Sequence, residues 1–353
     1  MNIALILPSN IWLSPYVKIY TDILDHIENC DYDIISWNRD GRDEPRDFQF
    51  NELSTWNFPM IRKLMLLWKF SKFSKSILRK NKYDRLIIFG PQMPVFSPLF
   101  ISYKYRGKYI LDYRDLSIEQ KPGIKQFFDL ILRNSALNVI SSPGFKKVLN
   151  PDLKYLISHN FDYNNAVKLI DSSFNRPNKC SILTIGSIRD YTSNVEVIKG
   201  VANNDDIIIK FVGRGGHADL LKEFVLNNQI TNCEFEGFYP KEKEGEYIIN
   251  SSWINIFYPN IITHQTALSN RFYNALLYKR PMIVTKNSIQ GDLVEQYNLG
   301  IAVCSCDNLV NDIETWEREN DYNEFCQRCK ELLAVFIRDY KYFKNAITYF
   351  ATS

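Results

Sequence analysis

Short apolar runs alternate with amphipathic stretches along this 353-residue chain, and no other feature constrains the fold as tightly. Runs such as NIALIL (2–7) and IIIKFV (207–212) are too short for buried helices and almost continuously apolar. A strand covered on both faces of a parallel sheet reads this way, whereas a strand with one wet face alternates. Strands are expected at 2–7, 32–37, 85–89, 109–113, 137–141 and 154–157, and again at 181–185, 207–212, 233–238, 253–257, 282–285 and 301–304. Helical patterns such as 217–226 and 270–277 fill the gaps. Strand and helix in strict alternation build right-handed βαβ units, so the expected class is α/β with two doubly wound lobes.

Two lobes also suit the length, which exceeds what one core usually supports. The join is expected within 160–179, a stretch holding Asp162, Asn164, Asn165, Asn175, Pro177 and Asn178. The expected division is 1–165, a first lobe; 166–335, a second lobe; and 336–353, a helix packed back on the first lobe. Residues 321–350 read as one helix long enough for that return.

Formal net charge is only +3, but its distribution is uneven. Residues 1–170 hold 24 Lys/Arg against 17 Asp/Glu, and 171–353 hold 19 against 23. The first half therefore either faces something anionic or carries an ordinary solvated surface. MNIALILPSN lacks the basic start and the apolar length of a secretion signal, so it reads as a first strand. The best membrane-span candidate, 95–103, is broken by Ser97, Pro98 and Ser102. A cytoplasmic protein, peripheral on the inner membrane face at most, is expected. Seven cysteines without secretory context are expected to be reduced; Cys326 and Cys329 have CxxC spacing but no second pair, so no metal is expected.

Chemistry concentrates at three βα junctions of the second half. LTIGSIRD (183–190) ends a strand in Gly186 and Ser187 and places Arg189 just before a helix. Glycine lets backbone amides approach a phosphate, the helix start favours negative charge, and a guanidinium grips phosphate oxygens in pairs. FVGRGG (211–216) repeats the device with Gly213 and Arg214. The GxGxxG spacing of dinucleotide binders is absent. In HQTALSNRFYNALLYKRPMIV (264–284), His264, Gln265, Thr266, Ser269 and Asn270 precede a helix, polar groups suited to a sugar and its phosphate.

Taken in order and spacing, IGSIRD (185–190), FVGRGG (211–216), FEGFYP (235–240), NRFYNALLYKRPMIV (270–284) and LVEQYNLGIAV (293–303) resemble the donor lobe of family 4 and related GT-B glycosyltransferases. YILDYRDL (109–116) and YLISHNFD (155–162) are similar to first-lobe and interdomain segments of bacterial capsule, O-antigen and exopolysaccharide transferases. The resemblance implies that Gly186, Ser187 and Arg189 meet a donor diphosphate, that Gly213 and Arg214 lie under the nucleotide, and that Phe238 and Tyr239 flank the base. It places a ribose-binding glutamate at position 274 and another acid at 266; this chain has Asn274 and Thr266. A second basic partner for Arg189 is missing at 192–194, with Arg271 as a replacement.

In the first lobe, Asp115 at a strand end is a candidate base or acceptor-orienting group, and Arg114 a candidate phosphate holder; the pair equally reads as a structural ion pair. Ser9 and Asn10 are candidates for the acceptor side. Residues 62–82 carry eight basic residues and no acid, with Leu66, Phe70, Phe73 and Ile77 as an apolar stripe. That stripe either lies on an anionic membrane or packs on the sheet.

The expected activity is transfer from a nucleoside diphosphate sugar, UDP for preference, to a lipid-linked or glycan acceptor, without metal or cofactor and without a nucleic-acid partner. Two alternatives stand beside it: a nucleotide-sugar 2-epimerase of the same architecture, and a non-catalytic partner subunit.

Overall fold

The computed structural model describes residues 1–42, 48–55, 57–177 and 179–353; Asn178, counted above in the expected join, lies outside them. Two compact units emerge: Met1–His159 with Asp339–Ser353, and Asn160–Arg338.

The first unit holds β1 (Asn2–Leu7), β2 (Asp31–Trp37), β3 (Phe48–Phe50), β4 (Arg85–Phe89), β5 (Tyr109–Tyr113), β6 (Leu137–Ile140) and β7 (Leu156–Ile157), ordered β3-β2-β1-β4-β5-β6-β7. The second holds β8 (Cys180–Ile185), β9 (Ile207–Val212), β10 (Cys233–Glu236), β11 (Trp253–Ile256), β12 (Met282–Thr285) and β13 (Gly300–Val303), ordered β10-β9-β8-β11-β12-β13. Every described pairing is parallel. Each strand order reverses once, between β1 and β4 and between β8 and β11, and ligands of open α/β sheets bind outside the carboxyl ends at such a reversal.

β1 shows how the apolar runs become two-faced cores. Its side chains alternate across the sheet. Ile3, Leu5 and Leu7 join Tyr20, Phe343 and Ile347 on one face, while Ala4 and Ile6 join Leu66 and Phe70 on the other. The C-terminal helix Tyr322–Thr352 therefore ends in the first unit, where Phe343, Ile347 and Phe350 are buried; its start sits in the second, where Phe325, Leu332 and Phe336 are buried. A fully buried phenylalanine such as Phe343 contributes roughly 2–3 kcal/mol.

The helix Met60–Lys80 covers the opposite face of the first sheet. Its stripe is core: Leu66, Phe70 and Ile77 are buried and Phe73 packs against them. Of the two readings of that stripe, packing on the sheet is the one the structure adopts. No helix among the described residues is long and apolar enough to cross a membrane.

Candidate functional site

At the carboxyl ends of β8 and β9 the two glycine turns are knitted together. Gly186 N–H donates to Val212 O at 2.9 Å and Ile188 N–H to Arg214 O at 3.1 Å, continuing the β8–β9 ladder past the strands. Gly186 and Gly213 take φ values of +93° and +130°, where a side chain is strained. A Cβ on Gly213 would overlap the Gly186 carbonyl, and one on Gly215 the Ile188 carbonyl. Close backbone contact between the turns is thus what Gly213 and Gly215 serve.

Arg189 is exposed, donates from Nε to Ser187 Oγ at 2.8 Å, and precedes the helix Tyr191–Gly200. His217 bonds the Arg189 carbonyl through Nδ1 and so ties the second turn to the first. The Asp190 side chain makes no capping bond, which leaves the first amides of that helix open to an anion.

Arg271 is buried beneath the same turn. Nε donates to Ile185 O at 2.6 Å, Nη2 to Ser187 O at 2.9 Å and Nη1 to Asn255 O at 3.3 Å. Its guanidinium spans the β8–β11 reversal and holds the turn's shape while adding a positive charge behind it.

Phe238 stands 69% exposed with the Arg214 guanidinium 5.4 Å from its ring centroid, an aromatic face open to stacking. Tyr239 donates its hydroxyl to Glu244 Oε1 at 2.9 Å, and that hydroxyl lies 3.8 Å from where a Gly186 Cβ would sit. Burial pushes the Tyr239 phenol up, and the Glu244 charge adds to the shift. Asn274 donates from Nδ2 to Glu244 Oε2 at 3.0 Å, and Lys241 bonds the same oxygen. Three donors therefore fix one half-buried carboxylate beside the glycine turns, a residue that the sequence reading did not single out.

The polar residues at 264–270 have mostly structural partners. Thr266 is fully buried and its hydroxyl returns to Ile262 O at 2.9 Å. Ser269 caps the helix Asn270–Leu277 by accepting from Phe272 N–H, and donates its own hydroxyl to Gln290 Oε1 at 2.7 Å. Asn270 Oδ1 accepts from Asn160, and Gln265 donates to Asn260. The His264 ring lies 5.1 Å from that of Tyr258, and Tyr258 lies 5.6 Å from the Arg271 guanidinium, so this group adjoins the glycine turns. A hollow lined by Tyr258, Asn260, His264, Gln265 and Gln290 opens there.

In the first unit Arg114 is buried, giving Nε and Nη2 to Asp112 Oδ2 at 3.0 and 2.8 Å and Nη2 to Ser158 Oγ at 3.0 Å. Tyr20 donates to the same carboxylate oxygen at 2.8 Å. Burial opposes the Arg114 charge, yet Asp112 and Tyr20 raise its pKa overall. Its Nη1 is buried without a partner. The ion pair of Arg114 is thus with Asp112, while Asp115 is exposed with its pKa raised, desolvation outweighing the charge of Arg114. Asn10 is fully buried and committed: Nδ2 donates to Asn38 and Asp40, and Oδ1 accepts from Arg39 N–H. Ser9 Oγ pairs with Ser14 Oγ at 2.6 Å.

Cys326 and Cys329 sit one turn apart in the C-terminal helix, with both thiols pushed up by burial. No group of His, Cys, Asp and Glu among the described residues could hold a metal ion.

No protein-family model and no curated protein sequence matches the chain. Solved structures do. The lipopolysaccharide outer core galactosyltransferase WaaB superposes with a TM-score of 0.64 at 15% identity, covering 98% of this chain and 99% of that one. Anabaena HepE in complex with UDP and glucose gives 0.62 at 14%, covering 97% and 98%. A Listeria monocytogenes protein assigned as a UDP-N-acetylglucosamine 2-epimerase gives 0.59 at 8%, covering 92% and 91%. At these identities the likeness carries the architecture: the chain has the α/β GT-B fold, with its two parallel sheets.

Proposed function

We propose that this chain is a glycosyltransferase whose second unit binds a nucleoside diphosphate sugar, UDP for preference, and whose first unit binds a lipid-linked or glycan acceptor in bacterial surface polysaccharide synthesis. The observation that carries the reading is the pair of interlocked glycine turns with Arg189 exposed at an uncapped helix start. That arrangement suits a diphosphate, and HepE, of the same fold, holds UDP.

Cleavage of the sugar–phosphate bond leaves negative charge on the departing diphosphate. Arg189 and the first amides of the helix Tyr191–Gly200 are placed to neutralise it, so the chemistry asks for no metal. Arg271 keeps the turn in the shape this requires. Phe238 and Arg214 offer a base-stacking face, and Glu244 offers a fixed carboxylate to ribose hydroxyls, the task that the resemblance gives to an acid at 274. His264 and Gln265 stand nearest for the sugar. In the first unit Asp115, its pKa raised, is suited to take a proton from the acceptor hydroxyl, and Nη1 of Arg114 to meet an acceptor phosphate.

A 2-epimerase is the second reading, favoured by the Listeria neighbour. The two separate by product analysis of the purified chain with UDP-sugars. A transferase moves sugar only when acceptor lipid or glycan is supplied; an epimerase converts the donor alone. Neither product under either condition would point to a non-catalytic subunit and overturn the proposal.

A further inference from the structure

Once the stripe of the helix Met60–Lys80 is packed into the core, a second stripe remains on its outward side. Ile61, Met65, Trp68, Lys72, Lys75 and Arg79 follow the i, i+4, i+7 spacing and fall within about 40° of one line along the helix. Ile61 is 83% exposed, Met65 47% and Trp68 42%. Such residues on a solvated helix are out of place unless something apolar covers them. The row changes character midway: apolar as far as Trp68, cationic beyond it, with the Lys72 ammonium 3.6 Å over the Trp68 ring.

The adjacent helix Pro98–Lys104 extends the surface. Its Phe100 ring has Lys75, Arg79 and Lys104 within 5.0, 5.6 and 5.3 Å of the centroid, and Lys104 and Tyr105 bond the Leu78 carbonyl. Leu99 and Tyr103, one turn apart, are 58% and 70% exposed. The patch therefore mixes exposed aliphatics, two amphipathic aromatics and a dense set of cations. No acid occurs between Arg62 and Lys82.

We propose that this face of the first unit lies on an anionic phospholipid surface. Ile61, Met65 and Trp68 enter the acyl boundary, and Lys72, Lys75 and Arg79 sit among the headgroup phosphates. Charge complementarity selects the occupant. Among the described residues one acid, Glu52, pairs with Lys69 of this helix, but the outward row itself carries only Lys72, Lys75 and Arg79, so two copies meeting along it face like charge, whereas anionic headgroups neutralise the row and the lipid interior takes its aliphatic end. Trp and Tyr beside cations are the side chains that bilayer interfaces favour. This surface is independent of the donor-site reading and goes beyond it.

The test is flotation of the full chain with phosphatidylcholine vesicles, with and without phosphatidylglycerol, at low and high salt. The chain is expected to float only with anionic vesicles and to be released by salt. Lys72→Glu with Lys75→Glu is expected to lower partitioning by about fivefold or more for each residue changed. Met65→Glu with Trp68→Glu abolishes flotation, while Lys222→Glu, an exposed change in the other unit, leaves it unaltered. All four altered side chains of the patch lie at its surface, and unchanged melting temperatures show that the variants fold. Absence of flotation with anionic vesicles overturns the proposal, as does flotation that survives both double variants. A concentration-dependent dimer that Met65→Glu with Trp68→Glu dissolves, without vesicle binding, assigns the face to a second copy and overturns it equally.

Discussion

The Asn274 amide donates to the Glu244 carboxylate at 3.0 Å, so an acid lies beside the position where the resemblance to GT-B transferases implies a glutamate. Tyr239 and Lys241 complete the hold on that carboxylate. An oriented charge of this kind gives a hydrogen bond to a ribose hydroxyl worth about 1.5–3 kcal/mol. Glu244→Gln is therefore expected to weaken UDP-sugar binding roughly 10- to 100-fold, read by calorimetric titration. Asn274→Glu, which sets two carboxylates together, is expected to weaken it as well. Binding unchanged by Glu244→Gln removes this residue from the donor site.

Two glycines of the FVGRGG turn carry opposite predictions. Gly213 has φ +130° and no room for a Cβ, so Gly213→Ala costs about 1–3 kcal/mol and lowers the melting temperature. Gly216 has nothing within 4 Å of a Cβ and no positive φ, so Gly216→Ala is expected to be close to neutral. Equal effects of the two substitutions would contradict the interlocking of the turns.

His159 couples the first unit to pH. Burial lowers its pKa below the ordinary 6.5, Arg114 adds to that, and Asp339, which accepts or shares a bond with Nε2 at 3.1 Å, only partly opposes it. The unfolded chain thus binds the proton more readily than the folded one. The stabilisation is complete above about pH 6.5 and is lost as pH falls toward the lowered folded value. Melting temperature is expected to fall from pH 7.5 to 5.5, and to fall less in His159→Gln. Equal falls in the two proteins would exclude His159 as the source.

What the sequence made legible follows from its physics. β1 is bounded as expected because its buried apolar residues Ile3–Leu7 have sharp ends, the exposed Asn2 opening the strand and Pro8 following it. β3, Phe48–Phe50, escaped notice because three residues carry no measurable period. The glycine turns were visible since only glycine suits their φ values. Thr266 and Ser269 are polar at a helix mouth, which reads alike for a sugar contact and for a cap; in the folded chain their hydroxyls bond Ile262 O and Gln290. Glu244 lies in KEKEGE (241–246), a stretch that reads as solvated surface until the fold brings it to a residue 30 positions away. Arg280, which nothing in its local sequence singles out, is fully buried, donating to Ile248 O, Ile249 O, Asn175 O and the Tyr322 hydroxyl. Partners so far apart in the chain leave no local signature.

The proposed grip of the second unit on a nucleoside diphosphate sugar, through Arg189 and the paired turns, is read by thermal shift of the wild type and Arg189→Ala against UDP-, GDP-, CDP- and TDP-sugars. A UDP-sugar at about 100 times its Kd is expected to stabilise the wild type by roughly 2.7 kcal/mol. Loss of the guanidinium contact is expected to weaken binding by about tenfold or more, so the shift at the same concentration shrinks. No stabilisation of the wild type by any of the four, or equal shifts in wild type and Arg189→Ala, would contradict the account.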